Sequence, residues 1–233
     1  MRCSMFDEER KGFLSKPFVY LVTDRNNQRR DHFLATIVQA VQGGIKMVQL
    51  REKTASYEEF CEIGIAVRTL LKAKKIPLII NDRIDVALAI QADGVHLGQS
   101  DAHVNKAREL LGEHTIIGLS LNTLEDIEKT KELPIDYVAA SPVFSSRTKK
   151  DCGSPFGINS LKKLCALSPY PVVGIGGIHL DNVDEVMSCG TMGVAVVSAI
   201  FDATCPKTAA QHLVRRLEHY TIEKNSLLVE IEE

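Results

Sequence analysis

Pro171-Val172-Val173-Gly174-Ile175-Gly176-Gly177 decides the reading of this chain. Its first five residues form a short β-branched run without polar/apolar alternation, the pattern of a parallel strand covered on both faces. The run stops on glycines, where backbone N–H groups can approach an anion with no Cβ in the way. The next such run, 192–197, ends at Ser198 and opens a short helical turn whose N-terminus favours a phosphate. A glycine-rich strand end beside a short helix, after the last two strands of a series, is the phosphate site of (β/α)8 barrels. It is not a dinucleotide fingerprint, because His179 stands where the third glycine would fall. The competing reading is a tight strand–loop turn with no ligand.

Working outward, six similar runs precede these two, at 18–22, 45–50, 77–80, 94–97, 115–119 and 137–140. Helical-period segments separate them. Leu34, Ile37, Val38 and Val41 share one face, as do Phe60, Ile63, Val67 and Leu71. Ala210, Leu213, Val214 and Leu217 repeat the pattern after Pro206, which suits a first helical turn. Thr123 and Asp126 have the spacing of a capping box, with Asp in place of Glu. Eight strand–helix units with no linker or composition break predict one α/β domain, a (β/α)8 TIM barrel over 17–225. Residues 1–16 read as a frayed extension and 226–233 as a tail. A doubly wound open sheet is the structural alternative.

Composition narrows the function classes. The 233 residues carry 28 Lys+Arg and 30 Asp+Glu, a formal charge of −2, which argues against bulk binding to nucleic acid. No run approaches a membrane span and the N-terminus lacks the apolar stretch of a signal peptide. Cys3, Cys61, Cys152, Cys165, Cys189 and Cys205 show no C-x-x-C pair or zinc spacing, so buried free thiols and a reducing cytoplasm are expected. Assembly into a homo-oligomer is left open.

Barrel chemistry sits at the C-terminal strand ends, and polar residues collect there. Gln49, Arg51, Glu52 and Lys53 follow the second run, Asn81 and Asp82 the third, and Gly98, Gln99 and Asp101 the fourth. Ser120 and Asn122 end the fifth. The polar stretch 145–151 follows the sixth and reads as a loop. Asp82 and Asp101 come from adjacent strands, and two carboxylates without a His or Cys cluster suit a hard cation such as Mg²⁺. Taken singly, Asp82 also fits an Asx turn and Asp101 a helix N-cap. Arg51, Lys53 and Lys149 suit phosphate oxygens. His96, inside a strand, reads as a packed imidazole; the scattered histidines offer no triad.

Taken in order, Gln49-Leu50-Arg51-Glu52-Lys53, Asn81-Asp82, Ala92-Asp93-Gly94-Val95-His96-Leu97-Gly98-Gln99-Ser100-Asp101, Thr148-Lys149-Lys150-Asp151 and Val173-Gly174-Ile175-Gly176-Gly177-Ile178 resemble the thiamine phosphate synthases. The resemblance runs from about Phe18 to the last helix. It implies a transferase of thiamine biosynthesis that joins a hydroxymethylpyrimidine diphosphate to a hydroxyethylthiazole phosphate with Mg²⁺ and releases diphosphate. It implies that Gln49, Leu50, Arg51, Glu52, Lys53, Asn81, Ser120 and Lys149 hold the pyrimidine diphosphate and that Asp82 and Asp101 hold the metal. Ser146, Arg147, Thr148, Gly177, Val197 and Ser198 would hold the thiazole phosphate, with Lys149, Arg51 and Ser120 as the catalytic set.

Three positions depart from the family pattern. Ser146 replaces a Thr but keeps the hydroxyl. Arg83 stands where some members have a second Asp, and Asn122 where a His is common. The related thiazole tautomerases use that His, so Asn122 points away from them. The other competing readings are a phosphate-binding barrel isomerase and a non-catalytic phosphate-binding barrel.

Overall fold

The structure, a computed structural model, describes residues 16–25, 28–101, 103–145 and 154–232, with only the backbone course beyond Tyr220. Its strands are β1 (Phe18–Val22), β2 (Met47–Leu50), β3 (Leu78–Asn81), β4 (Gly94–Leu97), β5 (Ile116–Leu121), β6 (Tyr137–Ala140), β7 (Val172–Ile175) and β8 (Gly193–Val196). They pair in sequence order, all parallel, and β8 closes on β1 with Val19 opposite Val194. The closed barrel excludes the open-sheet alternative.

Around it run α1 (Arg30–Gln42), α2 (Tyr57–Lys72), α3 (Ile84–Ile90), α4 (Val104–Leu111), a 3₁₀ helix (Glu125–Thr130), α5 (Gly157–Leu167), α6 (Val183–Ser188), α7 (Ser198–Phe201) and α8 (Pro206–Glu232). α2 buries the stripe expected of it, Phe60, Ile63, Val67 and Leu71. Its Ser56 cap accepts the Glu59 N–H. α1 is rotated from expectation: it buries Phe33, Thr36, Ile37 and Ala40, with Leu34 and Val41 at the edge. Thr36 can join this face because its hydroxyl donates to the His32 carbonyl. Pro206 opens α8, which continues as helix to Glu232, past the expected end of the barrel at 225. Of the Thr123–Asp126 box, the acidic half forms: Asp126 Oδ2 accepts the Asn122 and Thr123 N–H groups at 3.0 Å each.

Strand side chains alternate between two cores. Outward ones, such as Leu21, Val48, Leu50 and Ile80, pack under the helices. Inward ones, Phe18, Tyr20, Val22, Met47, Ile79, Ile116, Tyr137, Val173 and Ala195, fill the barrel. Below the barrel, buried Arg108 donates to the carbonyls of Gly112, Glu113, Thr115 and Pro134 and pairs with Asp136 at 3.1 Å. Free cysteines divide by position: Cys189 is buried, Cys61 and Cys165 partly so, and Cys205 is exposed, which corrects the expectation that it was internal. Cys3 and Cys152 lie outside the described residues.

Gly118, on β5, faces the interior where a Cβ would fall on the Tyr137 phenol and within 2.5 Å of His96 Nδ1. Gly118→Ala is expected to destabilise the barrel by about 2–3 kcal/mol through overpacking, measured as a lower urea midpoint at unchanged m-value. A midpoint equal to the parent's would show that this space is not tightly filled.

Candidate active site

The C-terminal strand ends open on a cavity of about 720 Å³. Its floor is made of inward strand residues, Tyr20, Ala139, Val173 and Ala195, and its wall of loop residues. The loop after β2 is pinned to the end of β1. The Thr23 N–H donates to the Gln49 carbonyl at 2.9 Å, and Thr23 Oγ1 accepts the Arg51 N–H at 3.1 Å. Gln49, Arg51 and Lys53 then face the cavity.

Asp82 follows β3 in the left-handed backbone region, φ 61°, which Asp tolerates better than most residues. Its N–H donates to the His96 carbonyl at 2.9 Å, which ties it to β4. Asp101 is held by the next loop, where its Oδ2 accepts the Gly98 N–H at 2.6 Å. The two carboxylates lie close enough for each to act on the other's ionisation. Burial first, then the neighbouring Asp82, pushes the Asp101 carboxyl up. Burial acts to raise Asp82, but neighbouring Asp101 and Lys53 outweigh this and hold it below the usual range. Lys53 Nζ donates to Asp82 Oδ2. Asp101 is not the helix cap that was its alternative; His103 caps α4, accepting the Asn105 N–H. Among the described residues no three His, Cys, Asp or Glu converge, so a cation here would rest on this pair plus water or ligand oxygens.

On the opposite wall, Gly176 and Gly177 have φ of 104° and 62°. A Cβ on Gly177 would meet the Ser145 carbonyl at 2.7 Å, so the backbone comes close here as no larger residue would permit. Val197 and Ser198, at the start of α7, border the same space. The first N–H groups of a helix lack intrahelical acceptors and face outward along its axis.

The cavity therefore joins a carboxylate and cation wall to a glycine and helix-start wall. The thiamine monophosphate synthase family model matches residues 19–200, which spans the barrel from β1 to α7. The chain belongs to this family. The thiamine-phosphate synthase of Albidiferax ferrireducens is 46% identical over 195 residues, 84% of this chain and 89% of that one. That of Vibrio campbellii is 44% identical, over 84% of this chain and 96% of its own. The thiamine phosphate pyrophosphorylase structure from Pyrococcus furiosus superposes with a TM-score of 0.80 at 33% identity, covering 89% of this chain and 98% of that one. Membership assigns thiamine-phosphate synthesis, a transferase activity on small molecules. Among the described residues no helix is long and apolar enough to cross a membrane.

Within this family member, Gln49, Arg51, Lys53, Asn81, Asp82, Asp101, Ser120, Gly177, Val197 and Ser198 all line the cavity. Leu50 and Glu52 do not, although the site was expected to include them. Strand alternation turns both outward: Leu50 is fully buried under the helices, and Glu52 pairs with Arg25 at 3.1 Å. Ser146, Arg147, Thr148 and Lys149 lie outside the described residues. Tyr20 and Tyr137 were not anticipated; both lie in a hydrogen-bond row beneath the cavity. His96 is the packed imidazole expected, with Tyr137 at Nδ1 and Ser120 at Nε2.

Glu52 keeps only 4% of its side chain exposed, and burial pushes its carboxyl up against the opposing pull of Arg25. Arg25 bridges it to Glu59 at 2.6 Å. Arg25→Ala should therefore cost about 2 kcal/mol by stranding a buried acid. Glu52→Gln in the same chain should recover most of the loss in denaturant unfolding. A double variant as unstable as the single would mean that Arg25 acts by packing alone.

Proposed function

We propose that the chain joins 4-amino-2-methyl-5-hydroxymethylpyrimidine diphosphate to 4-methyl-5-(2-hydroxyethyl)thiazole phosphate, giving thiamine phosphate and diphosphate. One observation carries this reading: a single cavity has a carboxylate and cation wall facing a glycine-lined, helix-start wall. The first wall suits a diphosphate. Arg51 and Lys53 offer cationic donors, and Asn81 a neutral one. The second suits a monophosphate on the backbone of Gly177, Val197 and Ser198. The family resemblance adds Ser146, Arg147 and Thr148 to the thiazole phosphate and Lys149 to the leaving diphosphate.

Asp82 and Asp101 fit Mg²⁺. They are two hard oxygen donors whose mutual repulsion a divalent cation relieves, and too few to hold it without substrate oxygens. When bound, the ion supplies neutralisation of the diphosphate charge. The chain's own residues do the rest. The bond from the pyrimidine methylene to the diphosphate oxygen breaks, and its electron pair leaves with diphosphate. The aminopyrimidine spreads the positive charge left on the methylene. The thiazole nitrogen then supplies the pair for the new C–N bond. Neither bond change requires a protein base, and both nitrogens of His96 are already engaged in hydrogen bonds. The residues bind, orient and neutralise, which is what positioning and fixed dipoles supply. The free thiols at Cys61, Cys165, Cys189 and Cys205 support a reducing cytoplasm as the setting.

Incubation with both substrates and Mg²⁺ should yield thiamine phosphate and diphosphate in equal amounts. Chelation with EDTA should stop turnover, and excess Mg²⁺ should restore it. Asp82→Ala and Asp101→Ala should each lower kcat by roughly 100-fold or more with circular dichroism unchanged. Full activity of either variant under limiting metal would remove these residues from the metal site.

Asn122 lines the same cavity. An amide does not titrate near neutral pH and cannot shuttle a proton between ring carbons as a His can. The purified chain should not interconvert thiazole carboxylate phosphate tautomers faster than buffer does. Clear acceleration, with no thiamine phosphate from the two synthase substrates, would reverse the choice in favour of a tautomerase.

A further inference from the structure

Beneath the cavity a row of hydrogen bonds crosses the barrel from β2 to β5. Gln49 Nε2 donates to the Tyr20 hydroxyl at 2.8 Å, and the Tyr20 and Tyr137 hydroxyls are 3.0 Å apart. The Tyr137 hydroxyl lies 2.9 Å from His96 Nδ1, and His96 Nε2 lies 2.8 Å from Ser120 Oγ. All five side chains are buried, the most exposed, Ser120, at 8%. Burial pushes both phenols up, so both keep their protons. The Tyr137 and His96 rings stack at 5.5 Å, in the space that Gly118 leaves open. Gln49, Tyr20, His96 and Ser120 all border the cavity, and the two end residues, Gln49 and Ser120, have hydrogen-bonding groups that the row does not use.

Each hydroxyl has one proton to give and a neutral imidazole has one, and a buried proton left without an acceptor costs free energy. One bond of fixed direction therefore sets all the others. Gln49 Nε2 can only donate, so the Tyr20 proton goes to Tyr137 and the Tyr137 proton to His96 Nδ1. The imidazole proton must then sit on Nε2 and point at Ser120 Oγ. Ser120 then accepts there and keeps its own proton to donate, and the residue borders the cavity. At the other end, Gln49 keeps Oε1 as its acceptor, beside the second Nε2 proton.

We propose that Tyr20, Tyr137 and His96 are positioning residues that set hydrogen-bond polarity, fixing Ser120 as a donor and Gln49 as an acceptor toward the substrate ring. An aminopyrimidine is complementary to such a pair, because its amino group donates and its ring nitrogens accept. The identity of that ring rests on the proposed function; the polarity does not. No proton is transferred along the row. A turned Gln49 amide would reverse every bond, moving the imidazole proton to Nδ1 and making Ser120 an acceptor. The two polarities thus differ in which nitrogen of His96 is protonated.

The test is ¹⁵N NMR of the full chain with ¹⁵N-labelled histidine at neutral pH, with His96 assigned by its loss in His96→Asn. The expected result is a protonated Nε2 and an unprotonated Nδ1. A proton on Nδ1, or on both nitrogens, overturns the proposal. Tyr137→Phe should mix the two tautomers. It should also lower kcat/KM for the pyrimidine diphosphate roughly tenfold, with the KM for thiazole phosphate unchanged. An unshifted tautomer with equal losses for both substrates would make Tyr137 merely structural and overturn its positioning role. Should Tyr137→Phe fail to fold, the parent's tautomer still decides the polarity. A parent that forms no thiamine phosphate would sink the functional reading, while its His96 tautomer would still decide this proposal.

Discussion

Alternation along eight short parallel strands is the constraint on which the rest depends. Each strand sends every second side chain into a closed interior that must be filled. Lower down the filling is apolar, with Phe18, Met47 and Ile116. In the same interior cluster Tyr20 and Tyr137 sit edge to face at 6.2 Å and make it amphipathic. Higher still, Gln49, His96 and Ser120 are inward residues of the same strands, and the cavity begins. The active site is thus the last layer of the barrel interior. A one-residue slip in β2 would send Leu50 and Glu52 inward and Gln49 and Arg51 outward.

The mouth is governed by electrostatics of the opposite kind. Asp82 and Asp101 are brought together although like charges repel, and the chain holds them with backbone groups of β4 and its loop. Asp101 is raised and Asp82 lowered, so the two carboxyls ionise unequally, with Lys53 bonded to the lower one. Such a pair costs electrostatic energy that a neighbouring cation, here the Lys53 ammonium on Asp82, partly offsets. The barrel mouth supplies the required rigidity, because both acids sit within a few residues of paired strand ends.

Much of this was legible in the sequence. Continuous apolar runs located every strand to within about two residues, because parallel strands covered on both faces leave no polar interruption. Asp82 and Asp101 were legible as a pair because strand order puts neighbouring strand ends together. What stayed hidden depended on direction rather than position. Glu52 and Leu50 stand in the same short motif as Gln49 and Arg51, and only the inward register of β2 separates them. Tyr20 and Tyr137 belong to no motif of the sequence, and only the period-two count along β1 and β6 places both inside the barrel. The four carbonyls that hold Arg108 are distributed from Gly112 to Pro134 and come together only through the loops at the base of the barrel. α1 turned on Thr36, a polar residue that reaches the buried face because its hydroxyl finds a carbonyl within its own helix.

The buried row beneath the cavity also bears on why an interior would hold so many polar groups. Each hydroxyl, amide or imidazole taken from water costs free energy unless it is paired. Here the internal bonds pair every member, and only the two end residues, Gln49 and Ser120, keep hydrogen-bonding groups for the cavity. Water can satisfy those ends in the free enzyme. A bound ring displaces that water and must replace its hydrogen bonds. A ring with the matching donor and acceptor restores them, whereas one lacking either group leaves a buried end unpaired at about 1–3 kcal/mol each. Discrimination of this type comes from the penalty on the wrong ring rather than from added grip on the right one. It requires that the ends cannot reorient to suit a different ligand. Ser120 would turn easily if it were held by its own rotamer alone. Bonded to His96, which is stacked on Tyr137 and closed in by Gly118, it cannot give its proton to the imidazole without reversing the entire row.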